Sequence, residues 1–180
     1  MSRAAQAILV LSGVMLPCAS ALTGQIGELH LGVVANYGTP GTFGPGAGLV
    51  VGIAPGRLAY VGARWSYQVG STQAQVRTRV QSFAADLGVQ VPAGPLEIVP
   101  SLSLGALLYT QRAAGSTRHS IEFLGAPGLS VEIPLGHIAL IPEMQVYFAG
   151  KPDLPQSVTH RGLLTSLRLV VPIEVSRFRW

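Results

Sequence analysis

The segment Ala59-Tyr60-Val61-Gly62-Ala63-Arg64-Trp65-Ser66-Tyr67-Gln68-Val69 decides the fold. Its odd positions are Ala59, Val61, Ala63, Trp65, Tyr67 and Val69, all apolar, whereas Gly62, Arg64 and Ser66 between them are small or polar. Successive side chains of an extended chain point to opposite sides, so this period of two describes a two-faced β-strand. The same odd parity runs through Leu29, Leu31, Val33, Ala35 and Tyr37, through Ala47, Leu49, Val51 and Ile53, and through Phe83, Ala85, Leu87, Val89 and Val91. It switches at Leu102, Leu104, Ala106 and Leu108, which oppose Ser101, Ser103, Gly105, Tyr109 and Gln111. Alternation returns over 121–133, 138–148 and 163–175, giving eight predicted strands.

The links between strands alternate as well. Tight Pro/Gly turns at 54–57, 92–95 and 134–137 interleave with longer polar loops at 38–45, 70–75, 112–118 and 150–160. Eight antiparallel strands joined in this way put the short turns at one end and the longer loops at the other.

Which face meets water separates a membrane barrel from a soluble sandwich. A soluble β-protein carries Lys, Glu and Thr on its outer face. Here the non-apolar face is mostly Gly, Ser and Ala with isolated charges, a composition suited to the crowded interior of a narrow eight-stranded barrel. The bulky apolar face then meets hydrocarbon. Arg64 and Arg168 fall on the inward parity, which avoids the ~2–4 kcal/mol that a lipid-facing Arg costs near the midplane. The fold class predicted is all-β, an eight-stranded antiparallel up-and-down transmembrane β-barrel.

Composition narrows the function. The chain has 180 residues, 48% hydrophobic and only 11% charged, with mean hydropathy +0.43, which excludes a disordered protein. A net charge of +4 without a basic tract argues against nucleic acid as a partner, and one Cys and four His without metal-ligand spacing predict no metal and no cofactor. Ser2-Arg3, the 13-residue apolar run from Ala4 to Leu16, and Ala19-Ser20-Ala21 read as a signal peptide over 1–21, with the barrel domain at 22–180. Cys18 falls in the removed segment. The apolar run is short of the ~20 residues of a membrane-spanning helix.

These features, together with the terminal Phe178-Arg179-Trp180, resemble the small outer-membrane β-barrels of the OmpA/OmpX type. The resemblance implies an integral protein of the bacterial outer membrane, inserted by the barrel assembly machinery through the terminal aromatic signal. A monomer surrounded by outer-membrane lipid and lipopolysaccharide is expected. Trp180 and Phe178 share even parity whereas 167–175 use odd, so a bulge near Ser176 is expected. Pro100, Pro127, Pro142 and Pro172 fall inside predicted strands, where a closed barrel has no free edge for a missing N–H; three lie near the short turns, where bulges are expected to absorb them.

Three residue sets are candidates for function. Glu143 and Arg168 flank the 150–160 loop nearly symmetrically and should face each other. Arg64 opposite, with Glu28, His30, Glu122, Glu132 and Glu174 on the same face, completes a lumen ion-pair network. Its expected role is neutralisation and strand register, the alternative being a small-solute conduit gated by exchange of pairs. Arg77, Arg79, Arg112, Arg118, Lys151 and Arg161 lie at the long-loop end, where lipopolysaccharide presents phosphates. Tyr37, Trp65, Tyr67, Phe83, Phe123 and Phe148 form an aromatic girdle on the lipid face at that end. Phe43 within 41–46 is a candidate contact tip. No catalytic residue is predicted: a lipid A-modifying enzyme needs Ser, His and a carboxylate to converge, and His119 and Ser120, adjacent on a strand, point apart. A soluble secreted β-barrel or sandwich is the remaining alternative.

Overall fold

A computed structural model describes residues 26–39, 43–55, 58–73, 75–113 and 115–174. The signal-peptide reading, the Phe178 and Trp180 signal and the bulge near Ser176 lie outside these residues. Eight long strands are present: β1 (Ile26–Thr39), β2 (Pro45–Pro55), β3 (Ala59–Gln68), β5 (Val76–Val89), β7 (Leu96–Ala113), β8 (Ser116–Pro134), β9 (Ala139–Ala149) and β10 (Arg161–Glu174). Two short strands, β4 (Thr72–Gln73) and β6 (Val91–Ala93), extend the ladder at its two ends.

Neighbouring strands pair antiparallel in chain order, and two further pairings complete the ring. Strand β1 pairs with β10 from Glu28↔Glu174 to Thr39↔Leu163, and β5 pairs with β7 from Arg77↔Arg112 to Gly88↔Ser101. The eight long strands therefore close on themselves and leave no free edge.

The apolar set of each strand faces out. Leu49, Val51, Leu102, Leu104, Phe123, Met144, Leu167 and Leu169 are exposed, while Arg64, Asp86, Ser103, Glu143, Gln145 and Arg168 are buried. This inverts the order of a water-soluble protein, and a surface of this kind is stable only against hydrocarbon.

The links differ in part from expectation. Gly94 and Gly136 adopt positive φ (68° and 79°) in two of the short turns, a conformation that favours glycine. The predicted 112–118 loop is instead a hairpin whose strands continue to Ala113↔Ser116, so Arg112 and Arg118 are strand residues. The 70–75 loop contains β4, folded back on β5. Threonine and arginine side chains tolerate extended backbone well, so polarity there marked distance from the bilayer rather than loss of pairing.

Each strand proline has a register partner on one side, Pro100↔Leu129, Pro127↔Leu102, Pro142↔Leu167 and Pro172↔His30, and meets a lapse in pairing on the other. The β8–β9 ladder is interrupted at 126–127 and 131–132, which accommodates Pro127 on β8 and Pro142 on β9. Pro100 falls between the end of the β5–β7 ladder at Ser101 and the start of the β6–β7 ladder at Ile98. Pro172 lies beyond the last β9–β10 pair, Val170↔Ala139. Gaps in the ladder, not the expected bulges, absorb the missing N–H groups.

Candidate functional site

Alternation along β3, β5, β9 and β10 brings four charges together inside the barrel. Arg64 donates from Nη1 to Glu143 Oε2 at 2.7 Å and from Nη2 to Oε1 at 3.1 Å. Its Nε and Nη2 also donate to Asp86 Oδ2, at 3.1 and 2.8 Å. Glu143 accepts in addition from Arg168 Nη2 at 3.2 Å and from the Ser166 hydroxyl at 2.7 Å. The Ser103 hydroxyl donates to Asp86 and itself accepts from Gln145 Nε2 at 2.7 Å. Two arginines thus balance two carboxylates, each within hydrogen-bond reach of more than one partner, which is what buried charge requires.

Toward the short turns, the Arg168 guanidinium lies 5.8 Å from the Tyr60 ring centroid. Tyr60 also tilts against His30, with centroids 5.8 Å apart. Space for its ring exists because Gly52 and Gly62 lack Cβ; one added at either would collide with the Tyr60 ring or hydroxyl. The cavity left among His30, Tyr60, Gln90, Glu132 and Arg168 is about 10 Å³, room for one water molecule at most.

Toward the longer loops an apolar cluster fills part of the interior, beside the buried polar side chains of Asn36, Gln68, Thr78 and Gln111. Phe43 is 3% exposed, against Tyr147 at 4.4 Å and Tyr109 at 6.2 Å between centroids, so it is a buried stopper and not a contact tip. Val80, Leu107 and Leu124 pack in the same cluster, with Leu154 and Val158 of the 150–160 loop against it. The backbone N–H and carbonyl of Gln156 are both bonded by the Gln111 side chain, at 3.2 and 2.9 Å, tying that loop into the mouth.

The structure draws only part of the expected network together. Arg64, Glu143 and Arg168 meet, and Asp86 joins them. Asp86 was missed because its diagonal placement against Arg64 depends on the register Gly62↔Asp86. His30 instead bonds Glu28 at 3.3 Å at the short-turn end, Glu132 lines the small cavity, and Glu122 accepts from Ser120 at 2.8 Å near the mouth. Glu174 is exposed and belongs to no central contact.

The basic residues likewise divide. Arg77 and Arg112 are direct cross-strand partners, Arg79 is paired with Thr110, and these four line one depression on the outer face. Arg118 has the opposite parity, while Lys151 in its loop and Arg161 on β10 are exposed elsewhere. The six aromatic residues all point outward, and Trp65 lies directly opposite Phe83. Ser120 bonds Glu122 on the inner parity, whereas His119 bonds Thr110 at 3.1 Å on the outer, so this serine and histidine form no joint site. Among the described residues no three potential metal ligands gather.

Closed pairing, an apolar exterior and a charged, filled interior define an eight-stranded transmembrane β-barrel of the outer-membrane class. The fold is that of proteins integral to the bacterial outer membrane. The fold is shared with solved structures of low sequence identity. The Neisserial surface protein A structure superposes with a TM-score of 0.65 at 10% identity, over 84% of this chain and 98% of that one. The N-terminal β-barrel domain of Pseudomonas aeruginosa OprF gives 0.59 at 10% identity, over 84% and 100%. A major outer membrane protein from Thermus thermophilus gives 0.58 at 12% identity, over 83% and 100%. No family model and no curated protein matches the chain.

Proposed function

We propose that the protein is a structural element of the outer membrane, with a sealed lumen and a basic rim that holds the anionic headgroups of lipopolysaccharide. The separation of its charges carries this reading. The buried arginines, Arg64 and Arg168, are bonded to carboxylates, whereas Arg77, Arg79, Arg112, Arg118, Lys151 and Arg161 at the loop end form no ion pair with a carboxylate among the described residues. Exposed cations gathered at one height meet phosphate at the outer-leaflet surface, where paired N–H donors and reduced hydration strengthen the contact. The filled lumen supports a structural role over transport. Refolded protein presented with lipopolysaccharide or zwitterionic phospholipid in mixed micelles tests the reading. Preferential lipopolysaccharide retention, reduced when all six basic residues are changed to Gln, is expected; equal retention of both lipids overturns it.

A further inference from the structure

The outer face of β5 carries two features on one line. Nearer the loops, Arg77 is directly opposite Arg112, with Arg79 two residues along and Thr110 beside it, around a depression of about 100 Å³. Like charges placed directly across a ladder repel, and among the described residues no carboxylate pairs with any of the three. A phosphate between them would convert that repulsion into charge-assisted hydrogen bonds. Further down the strand, Ala85 lies opposite Ala63, and these two small residues floor a groove of about 570 Å³ walled by Leu31, Leu49, Val51 and Phe83. Six residues separate Arg79 from Ala85, about 20 Å along an extended strand.

We propose that this face is a single binding site for one lipopolysaccharide molecule, its phosphate held by Arg77, Arg79 and Arg112 and one acyl chain lying in the Ala63–Ala85 groove. The inference rests on the rim reading above and narrows it from six dispersed charges to three that act together. Polarity fixes the occupant. The cationic end lies toward the loops and the apolar groove toward the membrane interior, the orientation of an outer-leaflet amphiphile. A soluble anion has no use for the groove, and a zwitterionic phospholipid brings its own cation to the arginines. Arg161 stands on β10, diametrically across the barrel from β5, so it belongs to the rim but lies outside this site.

Binding of fluorescent lipid A, bearing its phosphates and acyl chains, to the refolded full-length chain in detergent tests the site. R77Q/R112Q is expected to lower affinity by about tenfold or more, and K151Q/R161Q, which removes two rim charges outside the site, by a clearly smaller factor of about two to three. Dephosphorylated lipid A should bind the unaltered chain as weakly as intact lipid A binds R77Q/R112Q. Ala85→Phe, which fills the groove, should weaken binding of acylated lipid A and leave the deacylated phosphorylated disaccharide unaffected. Each variant's barrel is verified by its faster migration on an unheated gel. Equal losses in R77Q/R112Q and K151Q/R161Q overturn the three-arginine site and leave the rim reading standing. No preference of the unaltered chain for lipid A over zwitterionic phospholipid removes both. An unchanged affinity in Ala85→Phe overturns the acyl-chain assignment.

Discussion

Arg64 on β3 and Glu143 on β9 meet at 2.7 Å across the full width of the barrel, although 79 positions separate them in the chain. The two strands stand four places apart in a ring of eight long strands, whichever way round it is counted. Their contact is therefore a strut between opposite walls. Since Glu143 also bonds Arg168 and Ser166 on β10, it ties three walls to one carboxylate.

That position makes Glu143 the costliest charge to remove. Glu143→Gln leaves two buried guanidinium groups with one carboxylate between them, and a loss of about 3–5 kcal/mol is expected. Urea unfolding in detergent, followed by the change in gel mobility, measures it. A loss under about 1 kcal/mol would show that solvent reaches the network.

The stopper at the mouth is separable from the strut below it. Phe43→Ala removes a buried ring stacked near Tyr147 and Tyr109, and should cost about 3–5 kcal/mol if the cluster is as tightly packed as a soluble core. Cleavage within 150–160 by added protease should quicken, because Leu154 and Val158 pack against the same cluster. Unchanged cleavage would mean that the Gln111–Gln156 bonds hold the loop unaided.

A barrel closed at both levels should not conduct. Planar bilayers containing the unaltered protein, or Arg168→Ala, are expected to show no single-channel steps. Steps that appear in the unaltered protein and change in Arg168→Ala would revive the gate formed by exchanging ion pairs.

Exterior substitutions report the solvent. Val51 is exposed near the middle of β2, and Val51→Arg should destabilise the inserted barrel by ~2–4 kcal/mol in a bilayer. A neutral result, or release of the protein by carbonate without detergent, would return the chain to the soluble class.

Tyr60 supplies a steric test of the interior. Gly52→Val drives new methyl groups into the Tyr60 ring and should cost about 1–3 kcal/mol. Tyr60→Ala in the same chain should recover much of that loss, since the two residues share one space. An additive pair of effects in a double-mutant cycle would place the strain elsewhere.

Strand number, strand parity and the orientation of the apolar face were legible because each depends on nearest neighbours: a period of two survives wherever the chain is extended. The proximity of Glu143 and Arg168 was legible from their near-symmetry about one loop, but the register sets Glu143 opposite Ser166 and Arg168 opposite Ile141, so the two meet diagonally and not face to face. Asp86 and Phe43 were not. Asp86 finds Arg64 through the β3–β5 register, and Phe43 turns inward because Tyr109, Tyr147 and Leu124, on three other strands, leave an apolar space for it. Prolines were misjudged for a similar reason, since a missing N–H matters only where a partner carbonyl would have faced it.

Alternation along each segment was enough to determine an inside-out barrel, because hydrophobic and polar side chains cannot exchange faces without slipping every strand by one residue. Closure decided the rest. Only when β5 meets β7 and β1 meets β10 do Arg64 and Glu143 span a lumen, Phe43 gain a pocket, and Arg77, Arg79 and Arg112 share one patch, since side chains far apart in the chain come within a few ångströms only when the ring fixes which strands are neighbours and which are opposite.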